Sequence, residues 1–459
     1  MDWILTAGKR VSMVTIARRL AYQALWRVST QSSFSSYLLP AYLEREALSD
    51  RDRRLITELV YGCLRWQGRL DWVISRFSHS PLSALEVSVL IALRLGCYQL
   101  LFLERIPPSA AVKESVELAK MHGSPGSDTL VNAVLRQICR QGGNIPLPQA
   151  EKDQFDYLTI TQSHPRWLVE RWLERFGFRE TAELVEANNL KPPLFIRVNR
   201  LKTIPEELKR ELEKEEIEVE GSRYLPDSFR VVRGRIASSR PVKEGLCYLQ
   251  DEASQMVSFL VSPRPEDWVL DVCAAPGSKA CHLASLMNNR GYIVANDIHL
   301  HRLKVLRENC RLLGADNIRM VVADFTRQPG LRYEFDRVLV DAPCTSLGRI
   351  RRSPELKWRR EPEDVDFLSV KQKALLHYSS QRVKKGGILV YAVCSWEREE
   401  TEEVVENFLE ENNGFRVVDP RDYLPGALHP LVAEDGFIRT FPHRHDMDGF
   451  FSAVFTRGK

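Results

Sequence analysis

The chain has 459 residues, 44% of them hydrophobic and 27% charged, with 24 glycines and 24 prolines; this is room for roughly three domains, and the composition excludes disordered, collagen-like and coiled-coil chains. It holds no run of about 18 uninterrupted apolar residues, so no membrane span is expected, and its first twenty residues lack the basic start and apolar core of a secretory signal. Net charge is +4 but unevenly spread: residues 1–150 carry 18 Lys/Arg, fifteen of them arginine, against 12 Asp/Glu. Arginine grips phosphate with a planar fork, which fits nucleic acid; solvated helix faces account for the excess equally well.

In chain order, Met13 reads as an alternative start. Within TIARRLAYQALWRV, Ile16, Leu20, Ala24 and Val28 share one helical face. Ser49 and Asp52 form a capping box before the stripe Leu55, Ile56, Leu59, Val60 and Cys63. Helical patterns continue over 84–103, 110–121 and 128–140. Gly142, Gly143, Pro146 and Pro148 then break the pattern as a linker. The expected first domain is therefore all-helical, residues 1–145.

Residues 146–260 read as a small α+β connector. SHPRWLVERWLERFG is an amphipathic helix with Trp167, Leu168, Trp172 and Phe176 inward; the strand-like LFIRVN and the charged helix PEELKRELEKEE follow. Residues 261–459 alternate strand and helix: WVLDVC, YIVAND, IRMVVAD, RVLVDAP and GGILVYAVCS are short, β-branched runs. That rhythm predicts an α/β, Rossmann-like domain with a parallel sheet, whose ligands bind beyond the carboxyl ends of the strands. Those ends carry Asp271, Asp297, Asp324, Asp341 and Cys394.

The first strand runs into DVCAAPGSKA, a tight loop opening a helix, where backbone N–H groups can meet a ligand. Neither GxGxxG nor GxxxxGK[ST] is present, which argues against a dinucleotide or a nucleoside triphosphate. Asp297, 20 residues after Gly277, is placed to accept from ribose hydroxyls, and Asp324 to reach an adenine edge. A nucleoside without phosphates fits, and S-adenosylmethionine is such a ligand.

The next two strands end in DAPC and AVCS, bringing Asp341, Cys344 and Cys394 to the same edge. A lone buried cysteine is usually a small core hydrophobe. Two at a ligand-binding edge have a chemical use. Carbon-5 of cytosine is too weak a nucleophile to take a methyl group directly. A thiolate added at carbon-6 makes it enamine-like, and Asp341 can hydrogen-bond the base at N3 as charge develops. The carbon-5 proton must then leave, to a second thiol or a water. Nine cysteines without a CxxC pair argue against a disulfide framework or a zinc ribbon.

DVCAAPGSKA, DAPCTSLGRIRRSPELKW and YAVCSWEREE resemble, in order, the motifs of the RNA cytosine-C5 methyltransferases. The resemblance is greatest to the bacterial Sun/Fmu (RsmB) type, which methylates a cytosine of small-subunit ribosomal RNA. LSDRDRRLITELVYGCLR, RLGCYQLLFLERIPPSAAVKESVELAK and VNAVLR resemble that family's NusB-like helical domain. RVNRLK and YLQDEASQMV resemble its connector, and FIRTFPHRHDMDGFFSAVF its last strands. The resemblance implies Cys394 as nucleophile, Cys344 as the thiol needed for product release, Asp341 as the base contact and Lys279 close to the catalytic cysteine. It implies S-adenosylmethionine contacts from Cys273, Ala274, Ala275, Pro276, Gly277, Ser278 and Lys279, with Asp297, Arg302, Asp324 and Asp341. Two departures stand out: Ser278 and Ala280 replace the family's second Gly and its Thr, and Val393 replaces the Thr before the nucleophile.

Arg349, Arg351, Arg352, Lys357, Arg359 and Arg360 surround Trp358, a pattern that suits a phosphate track with base stacking. A target base must leave its stack to meet a thiol, so single-stranded or loop RNA is the expected partner. His443, His445, Asp446 and Asp448 read as a hairpin loop, with no metal expected, and His282 as a packed or surface histidine. The acids of EREETEEVVE read as a helix start favoured by the dipole. The expectation is a cytoplasmic, monomeric methyltransferase acting on unassembled or partly assembled small-subunit ribosomal RNA. The same chemistry on transfer RNA, and a catalytically idle assembly factor, are the alternatives.

Overall fold

The computed structural model describes residues 14–31, 33–45, 48–142 and 144–459; Met13 and Gly143 lie outside them. The described chain divides into two compact units. One runs through Leu190 and takes in Arg352–Arg359; the other comprises Lys191–Arg351 and Arg360–Lys459. No helix among the described residues is long and apolar enough to cross a membrane.

The first unit is helical. Ser49 caps Asp50–Arg65 as its spacing predicts, accepting from the Asp52 N–H, and Pro108 occupies the first turn of Pro108–His122, where its missing N–H is not needed. Val87–Phe102 buries Ile91, Leu93 and Leu95 among the stripes of Ile16–Thr30, Asp50–Arg65 and Ser127–Gln141. One buried ion pair crosses this core: Arg18 reaches Glu114 at 2.8 Å, and Glu114 also accepts from the Thr15 N–H. The sequence assigns 146–190 to the connector, but this stretch packs with the helical unit, where Ser163 Oγ accepts from the Arg69 N–H at 3.2 Å. The helix that begins at Arg166 buries Leu168 and Trp172, leaves Trp167 and Phe176 half-buried, and passes a kink at Gly177 (φ +73°) to end at Asn189.

The second unit holds two sheets. The connector strands β1 (Phe195–Val198), β2 (Glu218–Gly221), β3 (Ser228–Arg233) and β4 (Cys247–Leu249) form an antiparallel sheet in the order β2-β3-β1-β4. The larger sheet contains β5 (Trp268–Asp271), β6 (Tyr292–Asn296), β7 (Ile318–Val321), β8 (Phe335–Asp341) and β9 (Val383–Val393), all parallel. Three more strands, β10 (Phe415–Val417), β11 (Ile438–Thr440) and β12 (Phe450–Arg457), complete it, with β12 antiparallel to β9. In the order β10-β12-β9-β8-β5-β6-β7, β5 is the middle one of the five parallel strands, with later strands added on both sides. Strand order thus reverses at β5, and in such sheets ligands bind beyond the carboxyl edge at that point.

Alternation along these strands feeds two cores. Val338 and Val340 of β8 lie with Leu389, Tyr391 and Val393 of β9 on one face; Leu339 lies with Val390 and Ala392 on the other. Both faces are apolar because helices cover both. Val393, where the family has Thr, is a fully buried member of the first core.

The segment after Cys344 corrects the sequence reading of a phosphate track. Lys357 is fully buried and gives its Nζ to Asn189 Oδ1 at 3.2 Å. Burial, with Arg65 nearby, pushes its ammonium far below the ordinary lysine pKa. Trp358 Nε1 donates to the Leu64 carbonyl at 2.6 Å, and Arg359 donates to the carbonyls of Ser33 and Val28. Glu355, also buried, accepts from the Ser35 N–H at 2.8 Å and from its hydroxyl. Arg351 is buried in the second unit against Asp446 at 2.6 Å, and Arg360 Nε donates to the Thr345 carbonyl. These donors are consumed inside the protein, and a side chain without exposed surface cannot touch a phosphate. Arg352 is partly buried, and Arg349 keeps 47% of its side chain exposed. Trp358→Ala should therefore destabilise the protein by about 2–4 kcal/mol, toward the low side for loss of a packed tryptophan. Urea unfolding followed by far-ultraviolet circular dichroism measures this; unchanged stability with weakened RNA affinity would restore the stacking role.

Candidate active site

The loop after β5 is built as a cradle. Gly277 adopts φ +105°, and a Cβ there would lie 2.8 Å from the Leu306 side chain, so the position requires glycine. Ser278 follows as the first residue of the helix Ser278–Leu286, outside the left-handed region, so replacing the family's second glycine costs no backbone strain. The loop is tied down from outside. Arg302 donates to the Ala275 carbonyl at 2.7 Å, Asn309 to that of Pro276 at 2.9 Å, and Arg197 of β1 to that of Ser278 at 3.0 Å. Ala274 N–H bonds the Asn296 carbonyl at 2.8 Å, joining the loop to the end of β6.

Three acidic side chains stand at the strand ends around this cradle, unequally satisfied. Asp271, fully buried, has no aligned hydrogen-bond donor on either carboxylate oxygen. Burial, reinforced by the nearby Asp341, raises its pKa to about 8. Asp297 at the end of β6 accepts from the His299 N–H through Oδ1. Its Oδ2 lies 2.9 Å from Arg302 Nη1 but lacks an aligned donor. Asp324 is committed to its own loop, where Thr326 donates to it through N–H and hydroxyl; those bonds hold its pKa below the usual carboxylate range. Cys273 is partly buried, and its thiol is pushed up by burial.

Beyond the ends of β8 and β9 the structure brings together Asp341, Cys344, Cys394 and Lys279. Cys344 Sγ and Cys394 Sγ are 3.3 Å apart, and all nine cysteines are free thiols. Lys279, itself buried, donates to Asp341 Oδ2 at 2.7 Å and lies over the Phe450 ring of β12 at 5.5 Å. The pKa of Cys394 is lowered, first by the hydrogen bond from Cys344 and then by Arg349, against the opposing effect of burial. That of Cys344 is raised by the same bond and by burial. The hydrogen bond between them thus makes Cys394 the more acidic of the two thiols.

Other side chains fall elsewhere. His282 is buried edge-on to Phe259 at 5.3 Å, and burial drives its pKa well below the ordinary value, so it is a neutral packed histidine. His443 and His445 lie on the short helix Pro442–His445 between β11 and β12, and no group that could hold a metal occurs among the described residues. Sequence reasoning placed Asp271 at the ligand edge as a carboxylate ending an apolar strand but gave it no role, and it missed two residues altogether. Glu400 and Gln372 carried no signal: Glu400 reads as one acid among many in EREETEEVVE, yet it is wholly buried and bonded to Gln372 at 3.0 Å.

Comparison with known proteins agrees with this arrangement. Residues 258–456 match the model of the 16S rRNA methyltransferase RsmB/F family. Residues 15–140 match the NusB family and 164–236 the ferredoxin-like domain of RsmF/B-like methyltransferases. The chain is 37% identical to the probable ribosomal RNA small subunit methyltransferase B of Bacillus subtilis, over 95% of this chain and 98% of that one. It is 32% identical to the ribosomal RNA small subunit methyltransferase B of Yersinia enterocolitica, over 95% and 97%. The crystal structure of PH0851 superposes with a TM-score of 0.83 at 28% identity, covering 98% of this chain and all of that one. A methyltransferase homologue from Pyrococcus horikoshii superposes with a TM-score of 0.57 at 28% identity, over 67% and 99%. With relatives 32–37% identical over 95% of its length and family models matching its helical, connecting and catalytic parts, the chain belongs to the RsmB/F family of 16S rRNA methyltransferases.

Proposed function

We propose that the protein transfers a methyl group from S-adenosylmethionine to carbon-5 of a cytidine in small-subunit ribosomal RNA, through a covalent bond between Cys394 and carbon-6. The observation that carries this reading is the pair of thiols 3.3 Å apart beside the Lys279–Asp341 ion pair, at the edge where the cradle opens. The names of the relatives support ribosomal RNA of the small subunit as the substrate.

The cradle fits the cofactor. A ribose diol supplies two donors, and Asp297 has an oxygen without an aligned donor; a methionine ammonium is cationic, and Asp271 is a buried carboxyl without one. The backbone at Gly277 leaves no side chain in the way. Bound there, S-adenosylmethionine would supply an electrophilic methyl on its sulfonium.

The chain's own groups do the rest. Cys394 Sγ forms a bond to carbon-6, and the electrons of the 5,6 double bond move through carbon-5 and carbon-4 onto N3. The Lys279 ammonium, 2.7 Å from Asp341, gives up a proton that Asp341 carries to N3, which neutralises the charge arriving there. Carbon-5 is then nucleophilic and takes the methyl as its bond to the sulfonium breaks, that electron pair staying on sulfur. A water held by Cys344 takes the carbon-5 proton; those electrons restore the double bond and expel Cys394 as thiolate, and N3 returns its proton through Asp341. Arg349, half-exposed and close enough to lower the Cys394 pKa, is the cation of its loop best placed to meet RNA.

Cys394→Ala should abolish methyl transfer while cofactor affinity stays within about three-fold, since the thiol acts on the base and not on the cofactor. Cys344→Ala with small-subunit RNA and cofactor should accumulate a protein–RNA adduct on a denaturing gel; methyl transfer intact in both variants would end the two-thiol reading. Asp297→Ala should weaken cofactor binding by about ten-fold or more, the worth of a charge-assisted hydrogen bond, with RNA affinity unchanged. Alkylation of Cys394 by iodoacetamide should rise with pH as the thiolate forms. Its midpoint should move upward in Cys344→Ala, because the donated hydrogen bond that lowers the Cys394 pKa is gone; mass spectrometry of the labelled peptide reads the shift.

A further inference from the structure

Behind the two thiols lies a polar network whose side chains, those of Glu400, Thr345, Gln372, Ser395 and Tyr391, are all buried. Glu400 is fully buried. Its Oε1 accepts from the Thr345 N–H at 2.8 Å and from Gln372 Nε2 at 3.0 Å, while Oε2 accepts from the Thr345 hydroxyl. Thr345 Oγ1 and Ser395 Oγ are 3.2 Å apart. Gln372 Nε2 also donates to the Pro343 carbonyl at 3.0 Å, and Tyr391 gives its hydroxyl to the Glu400 carbonyl at 2.6 Å. Every residue bonded here is next to a thiol or anchors one that is: Pro343 and Thr345 flank Cys344, and Ser395 follows Cys394.

The ladder between β8 and β9 stops at Asp341 opposite Ala392. Beyond it the two strand ends leave the sheet, and the backbone link recorded between the thiol loops is Gly348 N–H to the Cys394 carbonyl at 3.0 Å. Glu400 bonds Thr345 of one loop, and Thr345 Oγ1 in turn meets Ser395 Oγ of the other. A carboxylate is suited to the place because it only accepts, and three donors meet it. Burial raises its pKa, yet those donors oppose the rise.

We propose that Glu400 is a positioning residue which holds the Cys344 and Cys394 loops at one fixed separation, so that the two thiols can act in turn on adjacent carbons of one base. This rests on the two-thiol reading above. Cys394 must meet carbon-6 while Cys344 serves the neighbouring carbon-5; strand pairing brings both loops to one sheet edge but ends before either thiol, and side-chain contacts fix the remaining separation. Glu400 touches neither base nor cofactor in this scheme; it acts through Thr345, Ser395 and Gln372.

The test compares Glu400→Ala, Glu400→Gln and Thr345→Val in the full chain. Oxidation of the Cys344–Cys394 pair by diamide, read by mapping the cross-linked peptide, reports the thiol separation without RNA or cofactor. In Glu400→Ala, cross-linking should slow by about ten-fold or more and single-turnover methylation should fall by about 100-fold, the cost of a misplacement near 1 Å. Cofactor affinity should stay within about three-fold of wild type. Glu400→Gln keeps an acceptor oxygen for Thr345 N–H and Gln372, and should restore both rates to within about ten-fold of wild type. Thr345→Val should lie between, and with Glu400→Gln it carries the test if Glu400→Ala does not fold. Cross-linking and turnover at the wild-type rate in Glu400→Ala, or in Thr345→Val where Ala does not fold, overturn the proposal. So does a Glu400→Gln variant as slow as Glu400→Ala, which would make charge and not hydrogen bonding the useful property. Failure of wild-type protein and Cys344→Ala to engage RNA would sink the two-thiol reading, but it leaves the diamide comparison to decide on Glu400.

Discussion

Parallel pairing of β8 with β9 is the constraint on which the site depends. Asp341 stands opposite Ala392, so both strands end at the same sheet edge, and exits of three and two residues carry Cys344 and Cys394 to 3.3 Å of each other. A parallel pair needs a long crossover, here containing the helix Pro362–Ser380, which is why thiols 50 positions apart in sequence meet. A slip of one residue would turn Val338, Val340, Leu389 and Tyr391 out of one core and into the other. Hydrophobic burial thus sets the register, and the register sets the chemistry. The same sheet reverses its strand order at β5, the strand that Gly277 follows, with Asp297 at the end of the neighbouring β6.

Charged groups taken out of water account for the other features of that edge. An ionised group in a low dielectric is tolerated only with a partner or donors. Lys279 and Asp341 satisfy one another at 2.7 Å, and Glu400 is met by three donors. Asp271 is less well compensated: burial and the nearby Asp341 outweigh Lys279 and the Cys273 backbone, and its pKa is raised to about 8. The paired thiols follow the same logic in miniature: one hydrogen bond lowers the Cys394 pKa and raises that of Cys344.

Arginine and lysine serve packing more than their numbers imply. Arg18, Arg351, Lys357 and Arg359 direct their donors to Glu114, Asp446, Asn189 and backbone carbonyls. A basic, aromatic-rich segment is therefore not by itself an RNA track, because the same forked donor that fits phosphate also fits a buried carbonyl or carboxylate. Arg349 alone of the residues singled out in that loop combines substantial exposure with closeness to the Cys394 thiol.

Wherever a local pattern carried the information, the sequence by itself determined the outcome. Its periodicities separated a helical front from an α/β rear, the Ser49 cap and the Gly277 turn were legible, and acids and cysteines at strand ends marked the ligand edge. These are one-dimensional signals, because alternation and turn chemistry depend on near neighbours in the chain. The burial of Lys357 and Arg351, the packing of 146–190 with the helical unit and the role of Glu400 were decided only by the tertiary structure. Each depends on which distant group arrives to satisfy a polar atom. An acid in EREETEEVVE has the same local context whether it faces water or three donors. Desolvation, which makes that difference, is a property of the assembled interior and not of the neighbouring residues.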